Sequence, residues 1–384
     1  MKNKLNTNMS RRHFIKVSAT GVVSATVLGR LPLALAKPYT GEFTWISPRG
    51  TIEVVDDYPY WVAKELGYFG DLETAMEPGP SDATAVVKFV ALEQADIGFP
   101  SPGVLSFAIN NDLDLVSIYG SGAFDLFNFA FRKGEGVTSL KELEGKTVLL
   151  GSAGWQSICD PMFAAAGVDH TSIKYVEAGW PQWGTVLQSG QGDAALAWEG
   201  LRADWQGKGL EFDYWLGRNG SSLPSNSLVV RRADIEDPDR NAFLQQYLRG
   251  WAMGSEFAEL NPRAATQIVF NALPQVKRNL GPRFATESLM QIHQTFKGDM
   301  SQRSGWGEHD IEQWDKFFKV LKDIGQSETD IDTRSYVLNS FISDANAFDK
   351  EQVKADAESY PLPEDMQAVD VSEIEENFFA NVIN

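Results

Sequence analysis

Six of the eleven tryptophans, Trp155, Trp180, Trp183, Trp198, Trp205 and Trp215, fall between positions 155 and 215. An indole face can stack on a flat ring or attract a methylated ammonium ion. Trp155, Trp180 and Trp198 each close or follow a β-like run, which points them to one end of a sheet and makes them candidate walls of a binding cleft. Core packing is the other fate of any tryptophan, and it is the expected role of Trp183, Trp205 and Trp215. Glu199 follows Trp198 and can accept hydrogen bonds from an amine, an amidine or a ring N–H, or can pair with Arg202. The turn Gly151-Ser152-Ala153-Gly154-Trp155-Gln156-Ser157 joins a strand pattern to a helix pattern. Ser152 and Gln156 there either face a ligand beside free backbone N–H groups or serve a tight turn and its cap. Ser101, ahead of Pro102 at a helix start, is a further candidate. Arg49 and Arg202 are the cations available for an anion, and Arg49 reads as a loop cap.

Other chemistry has little material. Cys159 is the one cysteine, and past position 36 the histidines are His170, His293 and His309. That excludes a disulfide framework and a cysteine-cluster metal site, and makes a histidine-rich site improbable. The chain has no Gly-x-Ser-x-Gly elbow, no His-Glu-x-x-His and no Gly-x-x-x-x-Gly-Lys-[Ser/Thr] loop. We expect no catalytic residues, no metal and no cofactor. The scarcity of basic residues at the expected strand ends favours an uncharged or cationic ligand with a flat or methylated face. Trp155 and Trp180 would hold it and Glu199 would supply polar recognition.

The elements that must position these residues alternate. Strand patterns at 43–47, 72–76, 95–99 and 113–119 are separated by helix patterns at 59–66, 82–94 and from 101 on. The order restarts with strands at 146–150, 173–177 and 193–198 and helices at 155–166 and 181–188. Strands separated by helices imply a parallel or mostly parallel sheet with helices on both faces. Gln94-Ala95-Asp96-Ile97-Gly98-Phe99 is echoed by Gln191-Gly192-Asp193-Ala194-Ala195-Leu196, so two similar α/β lobes are expected. Ligands of such sheets sit beyond the carboxyl ends of strands, which selects 47–50, 101–103, 119–124 and 152–157. Helices follow at 239–260, from 263, and at 311–324. An acidic stretch, 355–384, reads as a strap packed on a lobe.

The chain has 384 residues, 43% hydrophobic and 22% charged, with a formal charge of −18. This length accommodates about two domains, and the acidity argues against a nucleic-acid partner. At the start, Ser10-Arg11-Arg12-His13-Phe14-Ile15-Lys16 precedes a modestly apolar run ending in Ala34-Leu35-Ala36. This pattern resembles a cleaved twin-arginine export signal. Arg30 and Pro32 interrupt the run before it is long enough for a membrane anchor. Cleavage after Ala36 removes six of the 34 basic residues and no acids, leaving 28 against 52 and a charge of −24.

Asp57-Tyr58-Pro59-Tyr60-Trp61-Val62-Ala63-Lys64-Glu65-Leu66-Gly67-Tyr68-Phe69, then Ala95-Asp96-Ile97-Gly98, then 140–148 and Gly192-Asp193-Ala194-Ala195, form an ordered set. The set resembles the ABC-transporter substrate-binding proteins for nitrate, taurine, alkanesulfonates and thiamine pyrimidines, over roughly residues 43–270. The resemblance implies a type II periplasmic-binding fold, two Rossmann-like lobes joined by a two-strand hinge, with lobe 1 at 41–127 plus 229–384 and lobe 2 at 128–228. It adds Tyr58 to the candidate ligand-binding set of Ser101, Ser152, Trp155, Gln156, Trp180, Trp198 and Glu199. It implies a monomeric, periplasmic solute-binding protein that delivers a small molecule to an ABC permease and its ATPase and meets the membrane only through that permease. An enzyme on the same fold, like the pyrimidine-synthase branch, and a ligand sensor without transport are the alternatives.

Overall fold

Short β-branched and aromatic runs alternate with helices, some of them opening on proline, and the chain lays them down as two five-stranded sheets. The computed structural model describes residues 42–80 and 82–383. The export-signal assignment to residues 1–36 therefore lies outside the described residues. The first set is β1 (Phe43–Ile46), α1 (Tyr58–Glu65), β2 (Thr74–Glu77), α2 (Ala85–Ala91), β3 (Ile97–Gly98), α3 (Pro102–Asn110) and β4 (Leu115–Gly120). The second is β5 (Phe127–Arg132), β6 (Thr147–Leu150), α4 (Gln156–Ala165), β7 (Lys174–Glu177), α5 (Trp183–Gln188), β8 (Ala194–Trp198), α6 (Leu201–Gly207) and β9 (Phe212–Leu216). β10 (Ser227–Arg231) returns to the first sheet.

The sheet orders are β2-β1-β3-β10-β4 and β7-β6-β8-β5-β9. In the first, β10 alone runs antiparallel to its neighbours β3 and β4, and in the second β5 runs antiparallel to β8 and β9. Both sheets are thus the mostly parallel kind expected, each with its returning strand in the same place. The chain passes from one sheet to the other through residues 121–126 and back through 217–226.

The sequence echo has a physical content. Asp96 Oδ2 accepts from the Thr44 backbone N–H and Asp193 Oδ2 from that of Thr147, both at 2.8 Å. The backbone N–H of each aspartate returns a bond to the same threonine's carbonyl. Each aspartate therefore ties the turn before one parallel strand, β3 or β8, to the start of the parallel strand beside it, β1 or β6. An arginine at the end of the antiparallel strand completes the match. Arg231 Nη1 donates to the carbonyls of Val90 and Ala95, and Arg132 Nη1 to those of Leu187 and Gly192. Each guanidinium so binds a carbonyl at a helix end and one at the following turn, tying both to the end of the antiparallel strand.

Five longer helices follow: α7 (Pro238–Leu260), α8 (Pro262–Ala272), α9 (Pro274–Lys297), α10 (Ile311–Asp323) and α11 (Lys350–Ser359). α9 is broken at Gly281, where φ is 66° and ψ 172°, a conformation open mainly to glycine. Its second half packs on α6, where the Ala203 N–H donates to Gln291 Oε1. α10 buries Trp314, Phe317, Phe318 and Leu321 on one face, as its periodicity predicts. Its polar side reaches both crossing segments: Lys316 Nζ donates to the Ser221 carbonyl and Gln313 Nε2 to that of Ala123.

The C-terminal strap departs from the expected course. α11 is held beside α7 and α8 by Asn261, whose Nδ2 donates to the Ala357 carbonyl, and by Tyr68, whose hydroxyl donates to Asp356. The chain then reaches the other sheet, where Val382 forms a parallel bridge with Tyr214 of β9. The Tyr214 N–H donates to the Asn381 carbonyl and the Ile383 N–H to the Tyr214 carbonyl, each at 2.8 Å. Assigning 229–384 wholly to the first lobe does not describe these last residues. Among the described residues, no helix is long and apolar enough to cross a membrane.

Candidate functional site

The carboxyl ends of β1 and β3 in the first sheet and of β6 and β8 in the second face a common cavity. From the first sheet come Pro48 and Arg49 after β1, Asp56 before α1, and Phe99, Pro100, Ser101 and Val104 after β3. The second contributes Trp155, Ile158, Leu196 and Trp198. Leu126, Phe127 and Asn226 line it from the crossing segments and their edge, and Ile292 and Phe296 from α9.

Of the eight candidate residues, the structure brings Ser101, Trp155 and Trp198 together in this wall. Ser101 caps α3, its hydroxyl accepting from the Val104 N–H at 3.4 Å. Trp198 is stacked on Trp180 with centroids 5.7 Å apart and planes 9° from parallel, and Trp155 stands edge-on to both. Trp180 is thus the backing of the Trp198 wall, not part of the lining. Trp183 and Trp205 continue the cluster into the core, as expected, with Trp183 Nε1 donating to the Leu196 carbonyl at 2.8 Å.

The other four candidates are placed elsewhere. Tyr58 is fully buried and its hydroxyl meets His293 Nδ1 at 2.8 Å, while His293 Nε2 meets Glu259. Ser152 is buried at the start of the turn, and Gln156 donates along its helix to Asp160. Glu199 resolves toward its other reading. It is 1% exposed, pairs with Arg202 Nη2 at 3.0 Å and Nε at 3.2 Å, and accepts from Asn128. Arg202 is spent as well, its Nη1 donating to the Phe378 carbonyl and Asn381 Oδ1 of the strap.

The polar chemistry of the cavity comes instead from Arg49 and Asp56. Arg49 is 7% exposed, so it is no mere loop cap. Its guanidinium forms a short bond to Asp57 and lies 3.7 Å from Asp56. Burial alone would lower the arginine's pKa, and the two aspartates outweigh it, holding the cation above its ordinary value. Asp56 accepts from Trp198 Nε1 at 2.8 Å, a bond that joins the first sheet's loop to the second sheet's wall. Burial pushes its carboxyl up to about 6, with Asp57 adding to the rise and Arg49 opposing it. Arg49 Nε and Asn226 Oδ1, both buried, have no protein partner among the described residues.

Sequence reasoning missed Asp56, Asn226, Ile292 and Phe296. The signal for Asp56 was its place one residue before the Asp57-to-Phe69 phrase, on the loop after β1. Nothing local marks Ile292 and Phe296, because the path of α9 back to the cleft is a tertiary fact. Among the described residues no cluster of three or more His, Cys, Asp or Glu could hold a metal.

Residues 56–265 match the family model described as NMT1/THI5 like. No curated protein matches the sequence. Among solved structures, the alkanesulfonate-binding protein SsuA from Xanthomonas axonopodis pv. citri is similar at 11% identity and a TM-score of 0.59, covering 79% of this chain and 100% of that one. The ligand-binding component of an ABC-type import system from Staphylococcus aureus is similar at 10% identity and a TM-score of 0.56, covering 78% and 96%. The desulfurization enzyme DszB is similar at 14% identity and a TM-score of 0.50, covering 79% and 98%. At such identities the likenesses show the fold, that of the periplasmic binding proteins.

Proposed function

The chain belongs to the NMT1/THI5-like family, and on that premise we propose that it is an exported, monomeric solute-binding protein that hands a small molecule to an ABC-type permease and its ATPase. The observation that carries this reading is the cavity between two sheets of identical plan, walled by Trp155 and Trp198 and floored by the segments that cross between them. Residues 121–126 and 217–226 would act as the hinge between lobe 1, 41–127 plus most of 229–384, and lobe 2, 128–228. Export through residues 1–36 would bring it to the periplasm, and the likeness to an import-system component supports that setting. A thermal-shift screen of the full chain over sulfonates, nitrate, pyrimidines, betaines and aromatic acids tests the reading. A ligand at a hundred times its Kd should stabilise by about 2.7 kcal/mol, and Trp198→Ala should abolish the response. No response from any class, or a response indifferent to Trp198→Ala, would contradict it.

The likeness to DszB favours one second reading, an enzyme on the same fold. Recovery of the stabilising compound separates the two: unchanged compound supports binding, and a converted product supports the enzyme.

A further inference from the structure

The charge balance of the cleft selects among solutes, on the premise that the cavity binds one. Among the described residues that line it, Arg49 and Asp56 are the charged ones. The Arg49 cation is already committed to Asp57 and lies beside Asp56. With both carboxylates ionised, these three groups, Arg49 and Asp57 buried and Asp56 13% exposed, carry one net negative charge. From the other wall, Asp204 of α6 adds a further negative field at Asp56, and Trp198 Nε1 supplies only a dipole. A buried uncompensated charge is costly, and either a proton or a counter-ion relieves it. An anionic solute would add a second negative charge to the same place.

Two independent features point to the counter-ion. Trp155 and Trp198 line the cavity with Asp56, and an indole ring attracts a cation placed over its face. Asn226 Oδ1, on a side chain 6% exposed, lacks a protein donor and lines the same cavity. Its amide nitrogen is already bonded to the Phe99 carbonyl, so the free atom is an acceptor. Among the described residues that line the cavity, the other unpartnered atom is Arg49 Nε, a donor that a carbonyl or hydroxyl oxygen satisfies without adding charge.

We infer that the cleft takes an organic ammonium ion on a flat or short apolar body, with Asp56 as its counter-ion and specificity-determining residue and Asn226 Oδ1 as a second acceptor. Recognition moves from Glu199, the acid beside Trp198 in sequence, to Asp56, the acid beside it in space. Because burial lifts the Asp56 carboxyl to about 6, binding of the cation is present above that pH and lost as pH falls through it.

The test is calorimetric titration of the full chain with three probes of one ring and three charges: benzylammonium, benzyl alcohol and benzenesulfonate. At pH 7.5 benzylammonium should bind about tenfold or more tighter than either of the others, the scale of a buried charge-assisted contact. Its affinity should fall at pH 5. Asp56→Asn, which keeps an acceptor for Trp198 Nε1, should remove the preference for benzylammonium over benzyl alcohol. Tighter binding of benzenesulfonate, or an ammonium preference that survives Asp56→Asn, would overturn the assignment and leave solute binding standing. Silence of all three probes at both pH values counts against the ammonium assignment, and the broader thermal-shift screen then decides whether the cleft binds solutes at all. If Asp56→Asn lowers the melting temperature enough to cast doubt on its fold, the pH dependence of the unaltered chain decides.

Discussion

Glu199 and Asp56 both touch Trp198, one through the chain and one through a hydrogen bond, and their surroundings assign them different work. Glu199 neutralises Arg202 in a site closed by the strap, so its contribution is to stability. Glu199→Gln leaves that buried guanidinium without a counter-charge, a change that costs about 3 kcal/mol or more. Thermal denaturation should show the loss, with ligand binding in the surviving folded fraction little affected. A melting temperature unchanged by the substitution would contradict this role. Sequence alone left Glu199 open between ligand and Arg202, because both partners satisfy a strand-end acid. The choice depends on residues 378–381, which are distant in the chain and reach Arg202 only in the folded protein.

Elements show which parts of the fold were legible in the sequence. The periodic runs of α4, α7 and α10 lie where their apolar spacing put them, and the echoed aspartates report a repeated bond from turn to first strand. Arg132 and Arg231 repeat too, yet they end strands with dissimilar neighbours and offered no phrase to match. The crossing segments are joined by a further acid that sequence gave no reason to single out. Asp125, 1% exposed, accepts from the Phe127 N–H at 3.0 Å and takes a short bond from the Ser221 hydroxyl, tying one crossing to the other. Burial pushes its carboxyl up to about 7. The folded chain then keeps a proton that the unfolded chain, with an ordinary aspartate near 4, has released. Stability from Asp125 is therefore present at pH 4 and lost as pH rises toward 7, by up to about 1.4 kcal/mol per pH unit inside that window. Melting temperatures between pH 4.5 and 8 should show this descending component, and Asp125→Asn should remove it. A profile identical in the two proteins would contradict the assignment.

Across the molecule, the sheets are joined by more than the two crossing segments. α10 bonds to both crossings, and the strap is anchored beside α7 at one end and on β9 and Arg202 at the other. On the proposed hinge, opening must carry or release that strap. Deleting residues 378–384 should lengthen the mean distance between spin labels placed at Glu93 and Lys174, one beside each sheet, in a Cys159→Ser background. An unchanged distance distribution in the folded deletion protein would mean that the strap does not restrain opening.

On the proposed function a solute sits between the two sheets against Trp155 and Trp198, and the tryptophan side chains themselves report on it. Indole N–H resonances of the eleven tryptophans, assigned by substitution and followed during addition of a compound that raises the melting temperature, test it most directly. The expected result is that Trp198 and Trp155 shift most, with Trp180 following through its stacking contact, while Trp251 and Trp314 in the core hold their positions. A stabilising compound that moved Trp251 or Trp314 and left Trp198 and Trp155 unchanged would contradict it.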